Sequence, residues 1–282
     1  MDNNAFTVLF DYDSMIYKAV YKITESIDYK GTEHPQTGLI RKWFKDKRSK
    51  EWMTTEIINL SLNRLANMGD AIFLDIEDTG INIIAIEYFL TVCSNSKRKE
   101  VSPIYKANRK KRNKWVGLVR KHLIEMDAFI FNEFWEADDL VKDRAMELGE
   151  GSCIICSIDK DLKQIPGYHF DYYRPILKDE NGELQLDENG NRKIAPCRGL
   201  DIVTDEQAAK FFWTQMLMGD SGDNIKGIPR VGKVKAAKII EASTNYEETV
   251  KLEYIKYFGE IEGNEQFELH KILLGLGIRH RP

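Results

Sequence analysis

The chain has 282 residues, 43% hydrophobic and 30% charged, which fits a folded globular protein and excludes low-complexity and collagen-like classes. No apolar run approaches the about 20 residues of a membrane helix, the N-terminus lacks a basic-then-apolar secretion signal, and the four cysteines form no disulfide framework, so a reducing cytoplasm without a membrane partner is expected. Net charge is −4, yet Lys97 to Lys114 holds nine Lys or Arg against one acid, and a second basic run spans Arg41 to Glu51, so anion binding is local rather than excluded.

Phe6–Phe10 reads as a buried strand ending at Asp11. Ser14 to Ile23 is helical in pattern, and Asp28 to Lys50 is a polar, turn-rich loop excursion. The apolar spacing of Ile57, Ile58, Leu62 and Leu65 predicts a helix over Thr54 to Met68, closed by Gly69. Ile83 to Cys93 is apolar enough for a second strand. After the basic stretch Lys97–Lys121, Ala128–Phe131 is a short strand and Glu136 to Leu148 an acid-headed helix closed by Gly149. Cys153–Ile158 is a buried strand ending at Asp159, and its Cys-x-x-Cys reads as core rather than zinc or redox chemistry. Two Asn-Gly pairs within Lys178–Lys193 predict a β-hairpin excursion, and the last ninety residues look mainly helical. Strands separated by helices imply an α/β fold with a central, mostly parallel twisted sheet and helices on both faces.

Ligands of such sheets bind outside the carboxyl ends of the strands. Asp11 and Asp159 both fall there, although about 150 residues separate them. Four acidic groups stand out: Asp11 with Asp13, Glu136 with Asp138 and Asp139, Asp159 with Asp161, and Asp220 with Asp223. Each alone reads as a helix cap or a turn. Together they need a counter-charge, and hard divalent cations with oxygen ligands supply one. Two such ions about 4 Å apart can activate water and clamp a phosphodiester. The five histidines are scattered without ligand spacing, and neither a Walker loop nor a nucleophile elbow is present.

Met218 to Ile240, MGDSGDNIKGIPRVGKVKAAKII, joins these two chemistries. Asp220 and Asp223 sit in a Gly- and Ser-rich turn, and an Ile-Pro-Arg-Val-Gly hairpin leads to a helix carrying Lys233, Lys235 and Lys238. A metal on the acids and a phosphate backbone on the bases would account for both.

Five segments in this order resemble the 5′-nuclease superfamily: VLFDYDSMIYKA, RKEVSPIYKANRKK, FWEADDLV, SIDKDLKQI and the segment from Met218 to Ile240. The compact C-terminus is similar to the bacteriophage members. The resemblance implies a PIN-like α/β nuclease domain over residues 1–200, with a helical arch at about 95–122. It implies a C-terminal helical DNA-binding region over 201–282, with a helix–three-turn–helix at about 214–242. It places one Mg²⁺ or Mn²⁺ near Asp11, Glu136 and Asp138, a second near Asp159, Asp161 and Asp223, and Asp139 and Asp220 in the shell they share. Lys106 and Arg109, with Asp139 and Asp220, are the implied catalytic set. Implied DNA contacts are Arg98, Lys106, Arg109, Lys110, Gly227, Arg230, Gly232, Lys233, Lys235 and Lys238, with K⁺ at the helix–three-turn–helix. They are phosphate-directed and position DNA without reading sequence. The implied activity is a 5′→3′ exonuclease and flap endonuclease of phage DNA replication. It would work as a monomer in the host cytoplasm on 5′ flaps, nicks or ends, with RNA–DNA hybrids as a further substrate.

Two positions depart from the family pattern. Where a further metal-site aspartate usually precedes the arch, this chain has Cys93, Ser94 and Asn95, which leaves the first site either weaker or completed by water or by Asp13. Arg230 stands where many members carry glycine. The first departure motivates an alternative, a DNA-junction-binding protein with weakened catalysis. A PIN-like RNase shares the acidic edge but has no need of residues 220–240. Trp115 reads either as a stacking platform for an unpaired base or as packing of its own helix.

Overall fold

A computed structural model of the chain describes residues 5–28, 50–92, 96–109, 113–190 and 192–277. Its centre is a six-stranded sheet with strand order β3-β2-β1-β4-β5-β6. The strands are β1 (Ala5–Asp11), β2 (Asn82–Phe89), β3 (Phe129–Ile130), β4 (Cys153–Cys156), β5 (Gly167–Asp171) and β6 (Gly199–Val203). All neighbours pair in parallel except β5 and β6. Both faces of β1 are buried, which is why it reads as an unbroken apolar run. Phe6, Val8 and Phe10 point one way into a core built with α1 (Asp13–Asp28), α2 (Lys50–Glu77) and α4 (Lys114–Glu125). Leu9 points the other way, toward Ala137, Val141 and Ala145 of α5 (Ala137–Leu148). Each such side chain contributes roughly 1.5–3 kcal/mol by leaving water.

Helix α2 does not stop at Gly69. It runs to Glu77 because Ile72 and Ile76 continue the apolar stripe into the first core, and that burial outweighs one glycine's helix penalty of roughly 1 kcal/mol. Strand β2 ends at Phe89, earlier than the expected Cys93. Strands β5 and β6 were not legible, since neither GYHFD nor GLDIV is a clear apolar run. Strand β6 also spans the expected domain boundary at residue 200. The excursion at 178–193 makes two tight turns, one per Asn-Gly, closed by bridges Lys178↔Leu184 and Leu186↔Arg192. Cys153 and Cys156 are buried core residues, as expected. The expected loop over residues 29–49 lies outside the described residues. Among the described residues no helix is long and apolar enough to cross a membrane.

The C-terminal part packs α6 (Asp205–Met218), α7 (Lys233–Glu241), α8 (Tyr246–Phe258) and α9 (Glu260–Leu274) around a separate core. Between α6 and α7, β7 (Gly219–Asp220) and β8 (Ile225–Lys226) form a two-stranded ribbon. A Cβ on Gly219 would lie 2.2 Å from the Gly227 nitrogen, and one on Gly227 2.1 Å from a Met218 backbone carbon. Only glycine lets these two chains approach so closely.

Candidate functional site

Strand β1 lies between β2 and β4, so the connections leave it in opposite directions and a crevice opens beyond its carboxyl end. Phe10 pairs with Cys156, which sets Asp11 and the residues after β4 side by side. The Ser157 hydroxyl joins them: it donates to Asp11 Oδ2 at 2.8 Å and accepts from the Asp159 amide at 2.9 Å. Asp159 caps the 3-10 turn Lys160–Gln164 by accepting the Asp161 amide at 3.0 Å.

Glu136, Asp138 and Asp139 head α5, where the exposed amides of the first turn favour acids. Arg98, just inside α3 (Lys97–Val101), fills the space between them. Its Nη1 donates to Glu136 at 2.5 Å and lies 3.5 Å from Asp138, and its Nη2 donates to Asp139 at 2.8 Å. The turn after α3 brings in two further groups. Lys106 Nζ reaches both Glu136 oxygens at 2.8 and 2.9 Å, and the Tyr105 hydroxyl lies 3.0 Å from both Glu136 Oε2 and Asp223 Oδ2. Lys106 itself sits at φ 56°, a left-handed conformation that costs a non-glycine residue roughly 1–3 kcal/mol and is concentrated at functional positions. Its amide donates to the Asp223 carbonyl, and Asn108 and Asn224 tie the same two turns together.

On the far side, Asp220 Oδ1 accepts the amides of Gly222 and Asp223, while its Oδ2 takes Lys160 at 2.6 Å. The buried Gln215 amide reaches Asp161 at 2.8 Å and Asp220 at 3.1 Å. Arg109 pairs with Asp223 at 2.5 Å. The eight expected acids are therefore gathered from four parts of the chain, and six of them are linked in pairs by Ser157, Tyr105 and Gln215. Sequence reasoning missed Ser157 and Gln215, because a neutral polar residue carries no signal until the fold puts it between carboxylates. Tyr105 was visible within the Pro-Ile-Tyr-Lys stretch.

The carboxylates divide by their neighbours. Burial would raise Glu136, but Arg98 and Lys106 outweigh it and hold its pKa at about 2. Burial likewise opposes ionisation of Asp220, yet the Lys160 ammonium holds it below the usual carboxylate range. Burial and the charges of Asp13 and Asp159 push Asp11 up to about 8. Burial and Asp159 push Asp161 up to about 6, and burial raises Asp159 as well. At Asp11, Asp159 and Asp161 nearby lysines do not offset burial and like charge (Lys160 lies 3.8 Å from Asp161), and their hard oxygen donors fit a divalent cation. Among the described residues, no three acids, histidines or cysteines close around a single point as a finished metal cage would. Several of these acids hold lysine or arginine instead.

A pH dependence follows. Asp11 and Asp161 bind their protons more tightly folded than unfolded, so metal-free protein loses stability as pH rises from about 4 to about 8. Glu136 acts oppositely, with stability lost as pH falls from about 4.5 through about 2. Added Mg²⁺ or Mn²⁺ is expected to raise the melting temperature more at about pH 8 than at about pH 5. Equal shifts at both values, read by differential scanning fluorimetry, would count against cation binding at these acids.

Arg230, Gly232, Lys233 and Lys235 around the start of α7, and Lys238 in its last turn, are all exposed; the first turn holds no acid and the cap, Gly232, has no side chain. Arg230 has φ 65°, which explains why a glycine suits this hairpin position and shows that arginine is held there against strain. Arg98, expected to contact DNA, is 1% exposed and lies beneath the carboxylates. Lys110 and Cys93–Asn95 lie outside the described residues. Asp13 stays near enough to Asp11 for its charge to act there, but its Oδ1 accepts from the Arg120 guanidinium at 2.6 Å and from the Thr91 amide, so that oxygen is already engaged. Part of the expected arch joins the core: Val116 and Val119 of α4, with Leu123 just beyond, are buried against α1 and α2. Trp115 packs on that same core with Lys114 over its ring, which favours its packing role.

No protein-family model matches the chain. It is 26% identical to DNA polymerase I of Rhizobium leguminosarum over 171 residues, 58% of this chain and 16% of that protein. It is 27% identical to flap endonuclease Xni of Shewanella baltica over 150 residues, 51% of this chain and 52% of the other. The chain thus aligns to about half the length of Xni and to far less of the polymerase. Its fold is similar to T5 5′-exonuclease with bound zinc, at TM-score 0.52 and 14% identity over 96% of this chain and 86% of that one. It is also similar to the T5 D15 protein co-crystallised with metal ions, at TM-score 0.50 and 14% identity over 95% and 88%. Through these matches and its five motifs in order the chain is similar to DNA polymerase I and to flap endonucleases of the 5′-nuclease superfamily, and its fold is similar to that of T5 5′-exonuclease.

Proposed function

We propose that the chain is a metal-dependent, structure-selective 5′ nuclease that hydrolyses phosphodiesters near the 5′ end of flapped or nicked DNA. The observation that carries this reading is the gathering of eight acids at the β1/β4 switch point, with Asp11, Asp159 and Asp161 short of positive charge. The relatives' names and the neighbours' bound metals support it. Asp11, Glu136 and Asp138 would hold one Mg²⁺ or Mn²⁺, Asp159, Asp161 and Asp223 a second, with Asp139 and Asp220 shared between them. Bound there, the ions would supply activated water and charge on the scissile phosphate.

The chain's own residues do the rest. Lys106 and Arg109 carry their charge at the mouth of the carboxylate group and stabilise negative charge developing on phosphate oxygens. Tyr105 and Gln215 hold the acids in register. The free amides at the start of α7, with Lys233, Lys235 and Lys238, grip duplex backbone as a helix N-terminus does, and K⁺ would sit in the hairpin of residues 227–232. The division into a nuclease domain (1–200) and a DNA-binding region (201–282), a monomeric state, cleavage of RNA primers and a place in phage replication belong to the same proposal.

A junction-binding protein without chemistry is the second reading. It is favoured by the cations seated on Glu136, Asp139, Asp220 and Asp223. A labelled 5′-flap, a nicked duplex and an RNA–DNA hybrid separate the two. Cleavage in Mg²⁺ or Mn²⁺ that stops with EDTA is the expected result. Tight binding of intact substrate under every divalent cation would instead establish the second reading.

A further inference from the structure

After α9, residues 275–277 stay against the helix that carries the site's acids. Leu276 is 3% exposed in the core that also holds Leu9, Phe89, Ala137 and Val141. Around it, the three residues Gly275, Leu276 and Gly277 form a strap against the head of α5. The Gly277 amide donates to Asp139 Oδ1 at 3.0 Å, and Arg98 Nη2 donates both to that same oxygen and to the Gly275 carbonyl at 3.1 Å. One carboxylate oxygen therefore has one donor from the strap and one from the guanidinium that holds the strap. Gly277 has φ 95°, and a Cβ there would come within 3.0 Å of Asp143 Oδ1, so the backbone approach depends on glycine. Just before the strap, Gln164 donates to the Leu274 carbonyl at 2.9 Å and to Gln215 at 3.2 Å. Gln215 in turn holds Asp161 and Asp220. The strap's other side borders a cavity of about 600 Å³ between Lys142, Phe212 and Lys271. Its position is thus set mainly from the carboxylate side.

We propose that Arg98 and the strap Gly275–Gly277 form a latch that aims Asp139 and Glu136, so that docking of the C-terminal segment sets the cation affinity of the site. The latch rests on the nuclease reading for its consequence, though not for its existence. Arg98 is a positioning residue: it is buried, and it acts through Glu136 and Asp139. A buried ion pair offsets its desolvation only where geometry and remaining hydrogen bonds are good. The latch needs the forked geometry that lets one guanidinium bind two acids and a carbonyl at once, which lysine lacks.

The test uses the full chain with Arg98→Lys and, independently, Leu276→Ala. Hydrogen exchange read by mass spectrometry is expected to show faster exchange over residues 275–277 in Arg98→Lys. Mn²⁺ titrated calorimetrically, without DNA, is expected to bind about 10–100-fold more weakly in both variants, the usual loss when support of a ligand is removed. Flap binding in EDTA should stay within about twofold, and cleavage should recover as Mn²⁺ is raised. Unchanged exchange at 275–277 in Arg98→Lys overturns the latch whether or not the protein is a nuclease. Unchanged Mn²⁺ affinity in both variants, or flap binding that falls in step with cleavage, overturns its role in the site. If Arg98→Lys fails to fold, Mn²⁺ affinity in Leu276→Ala decides. Wild type that shows the exchange coupling but binds no Mn²⁺ refutes the nuclease reading and the latch's role in cation affinity, and leaves a structural latch.

Discussion

Asp159→Asn is expected to slow flap cleavage about 10³-fold, roughly 4 kcal/mol of transition-state stabilisation, while DNA affinity in EDTA stays within about twofold. The substitution separates charge from structure. Asparagine caps helical turns as well as aspartate does, so the oxygen that accepts the Asp161 amide is retained. What disappears is one negative charge facing Asp11 and Asp161, and with it a donor for the cation. The same loss relieves Asp11 and Asp161, whose raised pKa values owe part of their shift to Asp159. Metal-free Asp159→Asn is therefore expected to melt higher than wild type at neutral pH while being far less active. Single-turnover cleavage and thermal melts on one preparation check both halves. Wild-type turnover in the variant would remove Asp159 from the chemistry, and a lower melting temperature would show that the acids are not short of positive charge.

Lys106→Ala is expected to cost about 10²–10³-fold in cleavage, the usual loss when one preorganised cationic or hydrogen-bonding group is removed from a charge-developing site. It should also move the acid limb of the pH–rate profile upward. Lys106 is, after Arg98, the main influence holding Glu136 at about 2 against burial, so its removal lets Glu136 protonate at higher pH. Alanine keeps the strained φ at this position, so the fold of the turn is tested separately by its hydrogen bond to Asp223. A rate loss without movement of the acid limb would mean that Lys106 acts on substrate alone. Neither effect would show the ammonium to be a bystander.

The parts of the site legible in the sequence were those where chemistry and local pattern coincide. Asp11 and Asp159 each end an apolar strand, and parallel pairing of β1 with β4 was enough to bring them together. The acids at the head of α5 and the turn after α6 announced themselves by charge. What stayed hidden depended on tertiary packing. Arg98 looked like one more member of a basic stretch meant for DNA. Only the fold shows its side chain turned inward onto Glu136, Asp138 and Asp139. Val116, Val119 and Leu123 form a stripe at helical spacing that marks α4 as core, yet the surrounding lysines and arginines dominated the reading. Gly69 looked like a helix end until Ile72 and Ile76 found the core beyond it. Gln215 and Ser157 are small neutral groups whose importance comes from lying between acids distant in sequence.

On the proposed reading, carboxylates at the β1/β4 switch point hold the cation on which cleavage depends. Calorimetric titration of Mn²⁺ into metal-free wild type and Asp11→Asn, near neutral pH and without DNA, tests it most directly. Saturable binding by wild type is expected, with proton release because the raised Asp11 and Asp161 carboxyls give up protons to the cation. Affinity at least about 10-fold weaker is expected in the variant. Identical isotherms for the two proteins, or no saturable binding by well-folded wild type, would contradict this reading.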